Sequence, residues 1–162
     1  MAMKLYVKDE ADGTYRSARP QEILAAMANA TEKLFRRGTQ FIDVNTSSRF
    51  LSLKLVGKES EVFACLFLDN KHRLIQYEEL FFGTIDSAAV HPREVVKRAL
   101  HHNAAAVIAA HNHPSGNSHP SRADETITIR LRDALELVDV RLIDHIVVGH
   151  DSQTSLAEMG VL

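Results

Sequence analysis

Two histidines, His111 and His113, stand in a segment that reads His111, Asn112, His113, Pro114, Ser115, Gly116, Asn117 and runs on to Ser121, Arg122, Ala123 and Asp124. On extended backbone, side chains two residues apart point to the same side, so both imidazoles can reach one cation. Pro114 stops a strand, the Ser-Gly-Asn turn brings the chain back, and a helix begun at Ser121 puts Asp124 in its first turn. The resulting set of two nitrogens and one oxygen suits zinc in a catalytic site, because the fourth tetrahedral position stays open to water. A structural zinc takes four protein ligands. Attack of such a water on an amide carbonyl also needs a base. Of the upstream carboxylates Glu61, Glu78, Glu79 and Glu94, only Glu61 begins the most apolar strand-like run, where a sheet can hold it facing the metal loop. Glu78 and Glu79 belong to a half-exposed hairpin, and Glu94 suits the positive end of a helix dipole.

Each residue also has a plainer reading. The histidines could be satisfied by backbone carbonyls, and Asp124 could be the third-residue partner of Ser121 in a capping box. His101 and His102 read as cations at a helix C-terminus. His119 reads as solvent-exposed or substrate-facing, and His145, beside Asp144, as either a core histidine or a partner that orients a ligand. His72 and His150 read as turn residues, His91 as a helix-entry residue and Cys65 as a small core hydrophobe. Other zinc chemistries fail on the text: one cysteine excludes the deaminase and thiolate-cage patterns, and no His-Glu-x-x-His is present.

Elements must bring these residues together. The run Glu61 to Asp69 is apolar at every interior position, the mark of a strand buried on both faces, and Arg73 to Gly83 reads as its antiparallel hairpin partner. Residues 104 to 110 form a short apolar strand feeding the histidine loop. Helices are predicted from Pro92, with Val95, Val96, Ala99 and Leu100 as its stripe, and from Ser121, with Ile127, Leu131, Leu135 and Val138. Residues 46 to 57 share helix and strand periods and are read as a helix with a serine N-cap; Arg141 to Gly149 is a further buried strand. Ser155 and Glu158 are spaced as a capping box for a short last helix. Before all this, Pro20 opens a helix with a stop at Gly38, an appendage to the main body. The alternation predicts an α/β sheet of two or three layers with chemistry at strand ends. With 162 residues and 45% hydrophobic residues, the chain is sized for one principal core. A formal charge of −2 gives no general attraction to duplex nucleic acid, and the absence of a signal-like apolar run or membrane span predicts a cytoplasmic protein.

From residue 46 to the C-terminus the sequence resembles the JAB/MPN metalloprotease family, whose JAMM pattern is a Glu, then His-x-His-Pro, six residues, Ser, two residues and Asp. His111, His113, Pro114, Ser121 and Asp124 match each spacing, and GTIDSAAVHPREVVKRAL, AAHNHPSGNSHPSRADETIT and LIDHIVVG resemble the RadC-like branch. The resemblance implies a cytidine-deaminase-like α/β fold, a mixed sheet flanked by helices, over residues 46–162, with residues 1–45 as an N-terminal helical extension. It implies one zinc held by His111, His113 and Asp124, Glu61 as acid/base, and the Ser121 hydroxyl holding the zinc water or the developing oxyanion. A peptidase or isopeptidase acting on a protein or peptide follows. Larger RadC-type proteins carry a DNA-binding helix-hairpin-helix module; residues 1 to 45 show no matching Gly-containing hairpin, so the chain is expected to represent the catalytic domain. The alternative is a non-hydrolytic binding module of DNA-repair or mobile-element machinery.

Overall fold

The computed structural model describes residues 5–9, 11, 13–55, 57–83 and 89–162. The chain divides between Leu34 and Phe35 into two compact units. In the first, strands β1 (Tyr6–Lys8) and β2 (Tyr15–Ser17) form an antiparallel hairpin ahead of helix α1 (Pro20–Leu34). Arg16 grips the Glu22 carboxylate with both guanidinium nitrogens, joining the hairpin to the first turn of the helix. Helix α1 ends at Leu34, short of Gly38, which lies in the second unit and donates its N–H to the Leu74 carbonyl there.

The second unit holds α2 (Val44–Leu55), β3 (Val62–Leu68), β4 (Leu74–Phe82), α3 (Pro92–His101), β5 (Ala106–Asn112), α4 (Arg122–Glu136), β6 (Arg141–Val148) and β7 (Gln153–Ser155). Its five strands lie in the order β4-β3-β5-β6-β7, with β5 and β6 parallel and every other pair antiparallel. The sheet is therefore mixed, and α4 makes the crossover that a parallel pair requires.

Strand β3 is buried throughout because both its faces are covered. Ala64, Leu66 and Leu68 join Phe50, Leu51 and Leu55 of α2 in one core. Phe63, Cys65 and Phe67 join Val95 and Ala99 of α3 and Leu131 and Leu135 of α4 in the other. The second unit is thus three-layered. Among the described residues no helix is long and apolar enough to cross a membrane.

Two helix ends differ from expectation. Asp43 caps α2, accepting from Thr46 N at 2.6 Å, so the helix begins at Val44 and the serines lie inside it. Past Ser155 the chain forms turns rather than a last helix. Glu158 N does reach Ser155 Oγ at 3.1 Å, but Ser155 gives its own proton to buried Asp144 and ends a strand. The few residues before Gly160 cannot offset the cost of nucleating a helix.

Candidate metal centre

Strand β5 runs one residue past His111 and delivers both histidines to its C-terminal end, beside the end of its parallel neighbour β6. His111 is 1% exposed and lies against the ring of Phe63, its cross-strand partner. His113, just beyond the strand, anchors its N–H to the Val148 carbonyl. Ligand atoms of His111, His113 and Asp124 lie within 4.8 Å of one another. His111 Nε2 is 3.0 Å from His113 Nε2 and 3.3 Å from Asp124 Oδ1, and His113 Nε2 is 3.6 Å from Asp124 Oδ2.

Bonds of the usual zinc–ligand length place donors at the corners of a tetrahedron ~3.3 Å apart, and the His111–His113 and His111–Oδ1 separations match such edges, while His113 comes nearest the other carboxylate oxygen. The proton arrangement at His113 also fits. Its Nδ1 lies 2.7 Å from the Asn117 carbonyl, which can only accept. Nδ1 therefore carries a proton, and Nε2 is the ring nitrogen left to face the cluster.

The loop between His113 and Ser121 is held by close backbone contact. Gly116 has φ +86°, and a Cβ there would meet the His150 ring at 2.6 Å. A Cβ at Gly149 would collide with the Gly116 carbonyl. His150 N donates to that carbonyl at 3.0 Å, and Ser118, Ser152 and Thr154 link their hydroxyls beneath the loop. Both glycines let the loop press on the β6–β7 turn.

Helix α4 supplies the carboxylate through its first turn. Ser121 donates to Asp124 Oδ2 from its N–H at 2.7 Å and its hydroxyl at 2.6 Å, while Asp124 N donates back to Ser121 Oγ. The capping box is real, yet it occupies only one carboxylate oxygen, leaving Oδ1 toward His111. Burial opposes ionisation of Asp124, but the adjacent His111 and the Ser121 donors outweigh it and hold the carboxyl well below the ordinary range.

Glu61 lies immediately before β3. Phe63 pairs with His111 at the end of the β3–β5 ladder, and Glu61 lies two residues before Phe63, just outside it. Asn112, buried between those histidines, fixes this end of the register. Its Oδ1 accepts from Val62 N at 2.8 Å and its Nδ2 donates to Ser60 O at 3.1 Å, bracketing Glu61 on both sides. The other carboxylates are engaged elsewhere. Glu78 binds Arg98 and His102, which hold it below its usual range; Glu79 binds Lys58 and Tyr77; Glu94 binds Lys97.

Of the remaining histidines, His102 ends α3 and pairs with Glu78 at 2.8 Å, while His119 is exposed with Nδ1 against the Pro120 carbonyl. His145 is fully buried, which pushes its ring well below the usual imidazole range, a displacement that nearby His111 reinforces. It lies 2.8 Å from His111 Nδ1 and 2.5 Å from Thr128 Oγ1. Sequence reasoning passed over Asn112 and Thr128. Their signal was a polar residue at a position where a buried strand or the buried stripe of α4 calls for an apolar one.

A family model described as "RadC-like JAB domain" matches residues 42–161. The chain is 56% identical over 150 residues to a UPF0758 protein of Thioalkalivibrio sulfidiphilus, covering 93% of this chain and 67% of the relative. It is 60% identical over 131 residues to a UPF0758 protein of Nitrosococcus oceani, covering 81% and 58%. A UPF0758 protein of Vibrio cholerae is 55% identical over 140 residues, covering 86% and 88%. The chain thus spans little more than half the length of some relatives and most of others.

Proposed function

The chain belongs to the RadC-like JAB domain family, and from that premise and the geometry of the cluster we propose that it is a zinc-dependent hydrolase of the metallopeptidase or isopeptidase type. The observation that carries this reading is the meeting of His111 Nε2, His113 Nε2 and the Asp124 carboxylate, 3.0 Å between the rings, 3.3 Å from His111 to Oδ1 and 3.6 Å from His113 to Oδ2. These three residues would hold the metal, which when bound supplies a Lewis acid that polarises a carbonyl and acidifies water. Glu61, immediately before β3, takes a proton from the attacking water and returns it to the leaving nitrogen. Asn112 keeps the backbone on either side of that carboxylate in register with the histidines. The Ser121 hydroxyl, engaged with Asp124 Oδ2, can turn to a developing oxyanion while Oδ2 keeps the Ser121 N–H.

Metal analysis of the purified chain, then chelator-sensitive cleavage of a peptide library, tests the proposal. Glu61→Gln is expected to keep one zinc per chain and to lose turnover by about a hundredfold or more. A wild-type chain without metal, or a Glu61→Gln variant as active as wild type, refutes it and favours the binding-module alternative or a different base.

A further inference from the structure

We infer that Thr128 and His145 order the protons behind the cluster so that His111 is held as its Nδ1–H tautomer, with the Nε2 lone pair presented to a metal. The inference rests on reading His111 as a ligand, and it starts from the far end of a hydrogen-bonded chain. Thr128 Oγ1 lies 2.5 Å from the Asp124 carbonyl oxygen, one helical turn back. Two oxygens this close need a proton between them, and a carbonyl has none to give. The Thr128 hydroxyl proton is therefore committed to Asp124 O.

The next contact follows from the first. Thr128 Oγ1 is also 2.5 Å from His145 Nδ1, and since its only proton is spent, His145 Nδ1–H must be the donor. A doubly protonated His145 would be a cation at 0% exposure with no carboxylate bonded to it, an arrangement whose desolvation cost nothing there offsets. Its Nε2 is thus a bare acceptor, and 2.8 Å away it receives the proton of His111 Nδ1. With Nδ1 so committed, Nε2 is the ring nitrogen that His111 turns to the cluster, 3.0 Å from His113 Nε2. The Asn117 carbonyl imposes the same tautomer on His113. With both rings so ordered, the two Nε2 atoms face one another across a distance that one cation can bridge.

The chain begins at the backbone of one ligand and ends at the ring of another. Asp124 stands on α4, Thr128 one turn further along it, His145 on β6 and His111 on β5. Thr128 and His145 are positioning residues that join the helix and the strand supplying the ligand set. Neither touches the reacting atoms. Phe63 closes the side of the His145 ring at 5.4 Å, so the chain runs through apolar surroundings.

The test uses the full chain, labelled with nitrogen-15 and metal-free, with ring tautomers read from two-bond nitrogen–proton correlations. Wild type is expected to show His111 and His145 protonated at Nδ1. Thr128→Val keeps the volume but removes the acceptor, so His145 should move its proton to Nε2 and drive that of His111 onto Nε2. Zinc affinity, from competition with a chromophoric chelator, should then fall tenfold to hundredfold. Thr128→Ser should restore both readouts. Melting midpoints confirm folding, and Thr128→Ala replaces the valine variant if that one does not fold. An unchanged His111 tautomer in the valine or alanine variant, or zinc affinity within twofold of wild type, overturns the inference. The tautomers need no metal, so wild-type protein that shows them but takes up no zinc overturns the hydrolase reading alone.

Discussion

Replacing Asn112 should separate the two halves of the site without removing any member of it. The Asn112 amide stands in for a strand partner at a point where the β3–β5 ladder has ended, accepting from Val62 N and donating to Ser60 O. Asn112→Ala strands the Val62 N–H, on a residue only 2% exposed, at a cost of about 1–3 kcal/mol, and removes the bond to Ser60, worth roughly 0.5–1.5 kcal/mol. The sum, about 1.5–4.5 kcal/mol, lowers the melting midpoint of a domain of this size by roughly 3–18 °C. Asn112→Asp is more discriminating. It keeps the acceptor for Val62 but sets a carboxylate oxygen against the Ser60 carbonyl, where a donor stood 3.1 Å away. Facing that carbonyl, the new carboxyl ionises less readily folded than unfolded, where its value is ~3.9. A raised folded value gives stability that is complete below the unfolded value and is lost as pH rises through the folded one. The deficit of Asn112→Asp relative to wild type should therefore grow from pH 4 to pH 8, while that of Asn112→Ala stays level. Urea unfolding of the metal-free chain at both pH values reads this directly. A loss below about 1 kcal/mol for the alanine variant, or a pH-independent deficit for the aspartate variant, would show that the amide is not the clamp described.

Two further outcomes follow from the loop and from the carboxylate. Gly149→Ala places a Cβ where the Gly116 carbonyl lies, so the histidine loop must lift; stability should fall by about 1–3 kcal/mol and zinc affinity at least about tenfold, and equal chelator competition by variant and wild type would contradict this. Asp124 is held below its ordinary range, so its contribution to stability is present above the unfolded value near ~3.9 and fades as pH falls toward the lower folded value. The deficit of Asp124→Asn in urea unfolding should be largest near neutrality and shrink in acid; a deficit that stays constant down to pH 2 argues against a carboxylate held ionised in the folded chain.

The legible parts of this fold were those whose burial repeats with a regular period. Strand β3 announces itself because two helical layers demand an apolar residue at each position, and α3 and α4 because one stripe of each meets the sheet. Strands β1, β2 and β7 span three residues each, too few for an alternation to register. The tail misled for a different reason: Ser155 and Glu158 have the spacing of a capping box and Glu158 N does reach the serine hydroxyl, but the chain turns at Gly160, φ +80°, before a helix can nucleate. The cluster was legible because its three donors lie within one loop and the helix turn after it. Its supports were not. Asn112 reaches across fifty residues to Val62, and His145 reaches His111 only through the parallel register of β5 and β6.

On the proposed function, the two readings of Asp124, helix cap and metal ligand, are one device. A carboxylate on a mobile rotamer would present either oxygen to the histidines and lose entropy on being fixed. In the capping box the Ser121 N–H and hydroxyl both bind Oδ2, and the helix start cannot be satisfied unless that oxygen faces back toward the cap. Oδ1 is thereby turned to His111 at 3.3 Å before any metal is involved. The backbone requirement that begins α4 thus also aims the ligand, and Thr128, one turn on, uses the same residue's carbonyl to order the imidazole across from it. Ser and Asp three residues apart at the head of a helix are ordinary capping chemistry. Placed where a parallel strand ends in two imidazoles, the same pair preorganises a site.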